Sequence, residues 1–402
     1  MNTLPPPPRI AVPRRQFIAT AAFAAAASVL GAESAPLSVA VIGHTGRGGY
    51  GHGLDTMWLQ LPETTVVAVA DADPKGLAAA QAKLKIGKGY ADYRRMLAEV
   101  RPAIVAVGPR HVDQHRDMIL AAVEAGVRGI YMEKPFCRTP AEADEIWAAC
   151  AARGVRLAVA HRNRYHPVLP VLVEMISGGA IGRVLEMRAR GKEDQRGGAL
   201  DLWVLGSHLC DLATVFGGRA LTCSATVLQD GRPVTQADLH EGDEGVGLLA
   251  GNEVHARYAM ERGMPFFFDS VAKAGVAAAG FGLQLIGTEG MIDLRVDREP
   301  VAHLLAGSPF QPVAAPRAWV PITTGGVGKP EPMANLGKDL AGHLVAGRDL
   351  VAAVREGREP LCGPAQGAAT VEMICAAFES HRRGGAGVEL PLADRGNPLA
   401  RL

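Results

Sequence analysis

Residues 43–48 read Gly43-His44-Thr45-Gly46-Arg47-Gly48, and Asp71 follows twenty-eight residues after Gly43. Glycines in a sharp turn let backbone N–H groups come close to an anion such as a pyrophosphate. A carboxylate at the end of the next strand can accept hydrogen bonds from the diol of an adenosine ribose. The glycine pattern departs from G-x-G-x-x-G at its middle position, where Thr45 stands. Taken singly, the loop is also what a flexible strand-to-helix turn looks like, and Asp71 is also an ordinary turn or helix cap ahead of Pro74. Taken together they point to a bound dinucleotide. The charge of Asp71 would repel a 2′-phosphate, so NAD is expected, with NADP as the alternative. A second group, His240-Glu241-Gly242-Asp243-Glu244, collects metal-type ligands in five residues. Without a further dispersed ligand it reads as a solvated loop, and no residue is assigned to a metal.

These residues need a scaffold, and the hydrophobic pattern supplies one. The β-branched run Leu37–Ile42 ends at Gly43, and a second apolar run, 65–70, ends at Asp71. The segment between them has helical length, so the unit reads as strand, turn, helix, strand. Helices are expected over 94–100, 115–125 and 141–153, and strands over 103–107, 129–132 and 155–160. That alternation is the pattern of a doubly wound parallel sheet.

At 402 residues the chain is long for a single core, and two domains are expected. Its composition is 48% apolar and 21% charged with a formal charge of +1, which gives no reason to expect a nucleic-acid partner. The six cysteines (Cys137, Cys150, Cys210, Cys223, Cys362 and Cys375) form no CxxC pair, and their apolar surroundings read as buried free thiols, although an even count in an exported protein also permits disulfides. Arg14-Arg15-Gln16-Phe17 precedes an alanine-rich apolar run, 19–30, and then small residues. A basic start, an apolar run too short to span a bilayer and a small-residue exit make residues 1–35 an export signal of the twin-arginine type. The mature protein is then expected in the periplasm, and no other apolar run reaches the length of a membrane span.

Glu133-Lys134-Pro135 follows the strand 129–132, and Gly197-Gly198 and Gly206-Ser207-His208 come later in the same order. With the glycine loop, this set resembles the Gfo/Idh/MocA oxidoreductase family over nearly all of the mature chain. The resemblance implies an α/β fold: an N-terminal Rossmann parallel sheet over 36–160, then an α/β domain over 161–402 with a large open, mainly antiparallel sheet and C-terminal helices. It implies a nucleotide held by Gly43, Thr45, Gly46, Arg47, Gly48, Asp71, Pro109, His115, Glu133 and Lys134. It places Lys134 beside the nicotinamide and the reacting oxygen, and His208 as the acid/base. Hydride leaves a carbon as a proton leaves its oxygen, so a cation and a proton acceptor must meet there. An imidazole can take that proton near neutral pH.

His208 sits at the edge of an apolar helical stripe of Leu205, Leu209, Leu212 and Phe216, which suits a cleft and equally suits a structural histidine. One departure from the family is plain: four residues before His208, where an aspartate is usual, stands Val204. Its role is lost or passes to Asp201 or Asp211.

His161-Arg162-Asn163-Arg164-Tyr165-His166-Pro167 resembles the family's crossover into the second domain, where Arg164 or Asn163 faces the cleft or serves an interdomain contact. Lys134, Arg164, Lys192, Asp201 and His208 are the expected substrate contacts. Strands of one sheet are expected over 183–191, 221–228, 245–249, 254–260 and 282–286, a terminal helix pair near 349–360, and a closing strand at 388–391. The implied activity is oxidation or reduction of a secondary alcohol on a sugar or cyclitol by a homo-oligomer with tightly held cofactor. The alternatives are a redox-neutral, NAD-dependent glycosidase and a catalytically silent sugar-binding protein.

Overall fold

Six strands form a wholly parallel sheet in the order β3-β2-β1-β4-β5-β6: β1 (Leu37–Ile42), β2 (Thr64–Ala70), β3 (Gly89–Tyr90), β4 (Ile104–Val107), β5 (Gly129–Met132) and β6 (Arg156–Val159). Every residue of β4 and β5 is buried. Such continuous apolar runs suit strands covered by helices on both faces. The helix Pro140–Arg153 shows the local logic of those covers: Thr139 caps its first turn by accepting from Glu142 N, Pro140 opens it, and Gly154 closes it in a left-handed conformation. The computed structural model of the protein describes residues 35–275 and 281–402. All but the last residue of the 1–35 segment read as an export signal lie outside them.

The helix expected between β1 and β2 does not form. Residues 43–56 run as consecutive turns and end in a single 3-10 turn, Met57–Gln60. Leu54, Met57, Trp58 and Leu61 are buried with helix-like spacing, which is the signal that suggested a helix. Gly46, Gly48, Gly49, Gly51 and Gly53 all have positive φ, which an α-helix does not accommodate.

The second sheet is built from β7 (Val184–Arg190), β8 (Ala220–Gln229), β9 (Arg232–Pro233), β12 (Glu253–Met260), β13 (Pro265–Val271), β14 (Gly282–Gly287), β15 (Gly290–Arg295), β16 (Ala302–Ala306), β17 (Trp319–Thr323), β18 (Gly326–Val327) and β19 (Val388–Glu389). Its order is β18-β17-β16-β15-β14-β7-β13-β12-β8-β19, with β9 paired to β8; only β13 and β7 run parallel. Residues 245–249 do not join it. Gly247–Leu249 (β11) pairs instead with His240–Gly242 (β10) in a separate two-stranded ribbon. The terminal helices are Leu344–Glu356 and Pro364–Arg382, so the second of the pair lies beyond the 349–360 span expected for both.

Both sheets belong to one compact unit, Leu37–Leu402. The helix Pro364–Arg382 packs on β8 and on the helix Pro140–Arg153, tying the two sheets together. Between them runs the helical stretch Ala199–Gly217, whose middle, Leu202–Gly206, is π-helical. By length and composition it could cross a membrane, yet 72% of its apolar window is buried inside the protein. All six cysteines are buried and unpaired.

Candidate active site

In the parallel sheet the strand order reverses between β1 and β4, and in open α/β sheets ligands bind at the carboxyl ends of the strands at such a point. A cavity of about 450 Å³ lies there, bounded by Gly43, Asp71, Tyr93, Arg94 and Gln114 among others. Arg94 is stacked over the Tyr93 ring at 4.6 Å. Thr45 and Gly46 are exposed at its rim, and the N–H groups of Gly46 and Gly48 donate to nothing among the described residues. Those two amides are open to an anion, as backbone N–H groups in a turn can be. Gly48 must be glycine, since a Cβ there would come within 2.3 Å of Arg110 N. Arg47 is held by Asp113 at 2.5 Å, across the face of the same loop.

Asp71 stands at the end of β2 as expected, but its carboxylate is already engaged. Thr45 donates from both its N–H (3.1 Å) and its hydroxyl (2.7 Å), Tyr50 from its hydroxyl (2.9 Å) and Asp73 from its N–H (3.0 Å). Burial pushes the Asp71 pKa up, and these hydrogen bonds outweigh it and hold it below the ordinary carboxylate value. The residue is therefore a charged anchor for the glycine loop as well as part of the cavity wall. The cavity, the free amides and the fixed negative charge fit NAD.

At the end of β5 the next two residues turn toward the second sheet. Glu133 is buried and accepts from His52 N (2.8 Å), the His52 ring (2.6 Å) and Lys134 N (3.0 Å), which pins the far end of the glycine loop to β5. Burial raises its pKa, but the His52 contact reverses this and takes it to about 2. Lys134 is 7% exposed, and its Nζ donates to the backbone carbonyl of Val204 at 2.7 Å. Val204 lies in the π-helical turn, one turn ahead of His208. π-Helical turns recur at functional sites. The carbonyl gives Lys134 an uncharged partner. Burial lowers the Lys134 pKa, with the Glu133 charge opposing.

His208 is 8% exposed, with Nδ1 buried and unpartnered. Burial first, then the charges of Lys134, His161, Arg162 and His52, hold its pKa well below the ordinary value. The ring is neutral, and Nε2 is the nitrogen that can meet a hydroxyl. Lys134 and His208, assigned to one reaction from sequence, are brought together.

Several expected contacts are occupied elsewhere. Arg164 Nη1 pairs with Asp211 Oδ1 at 2.7 Å and also donates to Thr214, so it is an internal ion pair rather than a substrate clamp. His115 is fully buried, with its two ring nitrogens against the carbonyls of Pro135 (2.8 Å) and Pro109 (2.7 Å). It and Pro109 brace the loops after β4 and β5. Asp201 is fully buried and latches Glu193 N (3.0 Å) and Ser270 Oγ (2.6 Å) beneath Gly191. Lys192 is exposed. The residues that sequence reasoning missed are His52 and His161. His161 opens the segment read for Arg164 and Asn163, is 1% exposed, and meets His208 edge to face with ring centroids 5.2 Å apart.

Residues 37–161 match the model of the Gfo/Idh/MocA oxidoreductase family, described as an NAD-binding Rossmann fold. The chain is similar to D-apiose dehydrogenase of Paraburkholderia graminis, 33% identical over 125 residues, which is 31% of this chain and 33% of that protein. It is also similar to trans-1,2-dihydrobenzene-1,2-diol dehydrogenase of Bos taurus, 29% identical over 178 residues, 41% of this chain and 52% of that one. The chain thus spans about a third to a half of the length of these curated relatives. In fold it resembles levoglucosan dehydrogenase in complex with NADH and levoglucosan, with a TM-score of 0.69 at 21% identity over 89% of this chain and 99% of that one. An inositol dehydrogenase homolog from Azotobacter vinelandii, complexed with NADH and myo-inositol, gives a TM-score of 0.69 at 18% identity over 89% and 98% of the two chains.

Proposed function

We propose that this chain is an exported NAD-dependent oxidoreductase that acts on a secondary alcohol of a sugar or cyclitol and keeps its cofactor bound. Residues 36–160 form the cofactor half and 161–402 the substrate half. The observation that carries the reading is the meeting of Lys134, from the end of β5, with Val204, one helical turn ahead of His208. NAD, when bound, supplies the hydride acceptor; Gly46, Gly48 and Asp71 are placed to hold it. Lys134 would donate a hydrogen bond to the reacting oxygen, and its lowered pKa makes that donation stronger. His208 Nε2 would accept the hydroxyl proton, since the ring is held neutral. The buried walls around both residues keep bulk water from the reacting carbon. Relatives named for D-apiose, levoglucosan and a dihydrobenzenediol, all hydroxylated rings, support the substrate class.

The test is a panel of sugars and cyclitols added to the purified protein, read as reduction of bound nicotinamide. At least one polyol is expected to reduce it with stoichiometric oxidation of a ring carbon. If no polyol does so while aryl glycosides release their leaving groups, the protein is an NAD-dependent glycosidase instead.

Export rests on Arg14-Arg15 ahead of the apolar run. Replacing both by lysine is expected to leave folded, cofactor-loaded protein in the cytoplasm. An unchanged periplasmic yield removes the twin-arginine assignment.

A further inference from the structure

The ribbon β10–β11 belongs to neither sheet. It leaves the second sheet after β9, pairs only with itself among the described residues, and returns to β12. Its tip, Asp243–Gly245, packs on the turn Val112–Gln114 that follows β4 in the cofactor half. Two consecutive left-handed residues, Glu244 (φ 57°) and Gly245 (φ 68°), shape that tip. The approach is close: a Cβ at Gly245 would come within 2.3 Å of Asp113 Oδ1. Asp113 Oδ2 in turn holds Arg47 of the glycine loop at 2.5 Å. Farther along the ribbon, a Cβ at Gly247 would lie 4.0 Å from Arg138 Cδ, in the segment that follows Glu133-Lys134-Pro135. Its base is tied by Asn397 Nδ2, which donates to Leu248 O at 3.2 Å.

The ribbon therefore touches the chain beyond β4 and the chain beyond β5. Through Asp113 it also bears on the loop beyond β1. In a sheet of this order a dinucleotide lies along those strand ends. Asp113 and Gln114 line the cavity beside Asp71 as well. In and around the turn, Arg47 Nε, His111 Nδ1, Asp113 Oδ1 and Gln114 Nε2 are buried with no hydrogen-bond partner among the described residues. Buried polar atoms are nearly always satisfied, so this group has capacity for a bound molecule. Arg47 Nε and Gln114 Nε2 can only donate, which suits pyrophosphate oxygens, and the Asp113 carboxylate can only accept, which suits a ribose hydroxyl.

We propose that the β10–β11 ribbon is a strap from the substrate half that closes over the bound dinucleotide and sets how slowly it leaves. The inference deepens the proposed oxidoreductase reading, in which the cofactor stays bound, and rests on it. With the tip seated on Asp113, release requires the ribbon to part from the turn first. The strap is built to part. A two-stranded ribbon is marginally stable by itself, and of the side chains in 240–249 only Val246 and Leu249 are buried. It can open locally without disturbing either sheet, so opening governs cofactor exchange. Charge helps to seat it, since the Glu244 carboxylate favours the protonated forms of Lys134 and Arg196 across the cleft. No residue of the strap needs to meet the reacting atoms; its task is retention.

The test loads the purified protein with NADH and follows two readouts. The first is the NADH dissociation rate, read as loss of nucleotide fluorescence on dilution into excess NAD. Gly245→Ala drives a Cβ against Asp113 and places a side chain on a left-handed residue, so the tip lifts. Release is expected to quicken about tenfold, the effect of losing one well-made contact, while the cofactor-free variant unfolds at the wild-type midpoint. Asp243→Ala, at an exposed position of the same turn, is expected to release NADH at the wild-type rate. The second readout is backbone hydrogen exchange in the wild type, where bound NADH is expected to slow the amides of 240–249 as well as those of the glycine loop. Unchanged release from Gly245→Ala, equal acceleration by Asp243→Ala, or ribbon amides that exchange equally fast with and without NADH overturns the strap. The exchange measurement needs no variant, so it decides the matter even if Gly245→Ala does not fold. Neither readout uses a polyol. A protein that binds no NADH sinks the oxidoreductase reading and the strap with it, whereas NADH bound beneath an unresponsive ribbon sinks the strap alone.

Discussion

Replacing Lys134 by alanine is expected to lower kcat on a cognate polyol by about 10²–10⁴-fold while the protein folds and retains NAD, and His208→Ala is expected to do the same. The reason is the division of labour at the end of β5. On the proposed reading, cofactor retention would rest on the glycine loop and Asp71, which are joined through Thr45 and which neither substitution touches. On the same reading, what is lost is the group that would meet the reacting oxygen in one case and the group that would take its proton in the other. Lys134→Ala also leaves the Val204 carbonyl without its donor, a local cost of about 1 kcal/mol that folding should withstand. If both residues act on one proton transfer, as proposed, the double variant should fall little below the worse single variant. Single-turnover reduction of bound nicotinamide measures this directly. Losses of less than tenfold, or losses matched by equal loss of cofactor, would mean that the pair is structural and that the reaction is catalysed elsewhere.

The parallel sheet was legible because its strands are continuous apolar runs punctuated by glycine and proline, as in β4, β5 and β6. The region after β1 was misread for a physical reason: Leu54, Met57, Trp58 and Leu61 bury at helical spacing, while the glycines between Gly46 and Gly53 hold backbone angles that no helix allows. Spacing reports which residues face the core, and backbone freedom decides what element carries them. In the second sheet β7, β8, β12 and β14 were readable, whereas β13 opens on a proline and runs through three consecutive phenylalanines without alternation. Within the candidate site, Lys134 and His208 were singled out through motif order. His161 and His52 were not, because an imidazole left unpartnered, or one paired to Glu133 across 81 residues, is a tertiary fact with no local trace. Arg164, His115 and Asp201 have the residue types a site needs, and the fold commits them to its own contacts.

Asp71→Ala is expected to destabilise the cofactor-free protein as well as weaken NAD binding. A carboxylate whose only task was to meet a ribose diol would be dispensable without ligand. Here both oxygens are engaged by Thr45, Tyr50 and Asp73, and Thr45 spans the glycine loop. Removing the acceptor leaves the Tyr50 hydroxyl and the Thr45 and Asp73 amides without partners at a rim where water reaches only some of them. Unsatisfied donors cost about 1–3 kcal/mol each when water cannot replace the partner, so a net loss of about 2–3 kcal/mol is expected. Tyr50 matters most, because its ring fills the space over Gly43, where a Cβ would lie 2.1 Å from it. If the ring is released, the loop loses both its anchor and its packing, and the free amides of Gly46 and Gly48 are no longer held at the end of β1. NAD affinity should therefore fall by more than a lost ribose contact alone would cause. Discrimination against NADP should narrow, because the charge that repels a 2′-phosphate is gone. Denaturant unfolding without cofactor, followed by titration with each nucleotide, separates the two effects. A variant that unfolds at the wild-type midpoint but binds NAD weakly would reduce Asp71 to a ribose ligand, and the glycine loop would then have to be held by Glu133 and His52 alone.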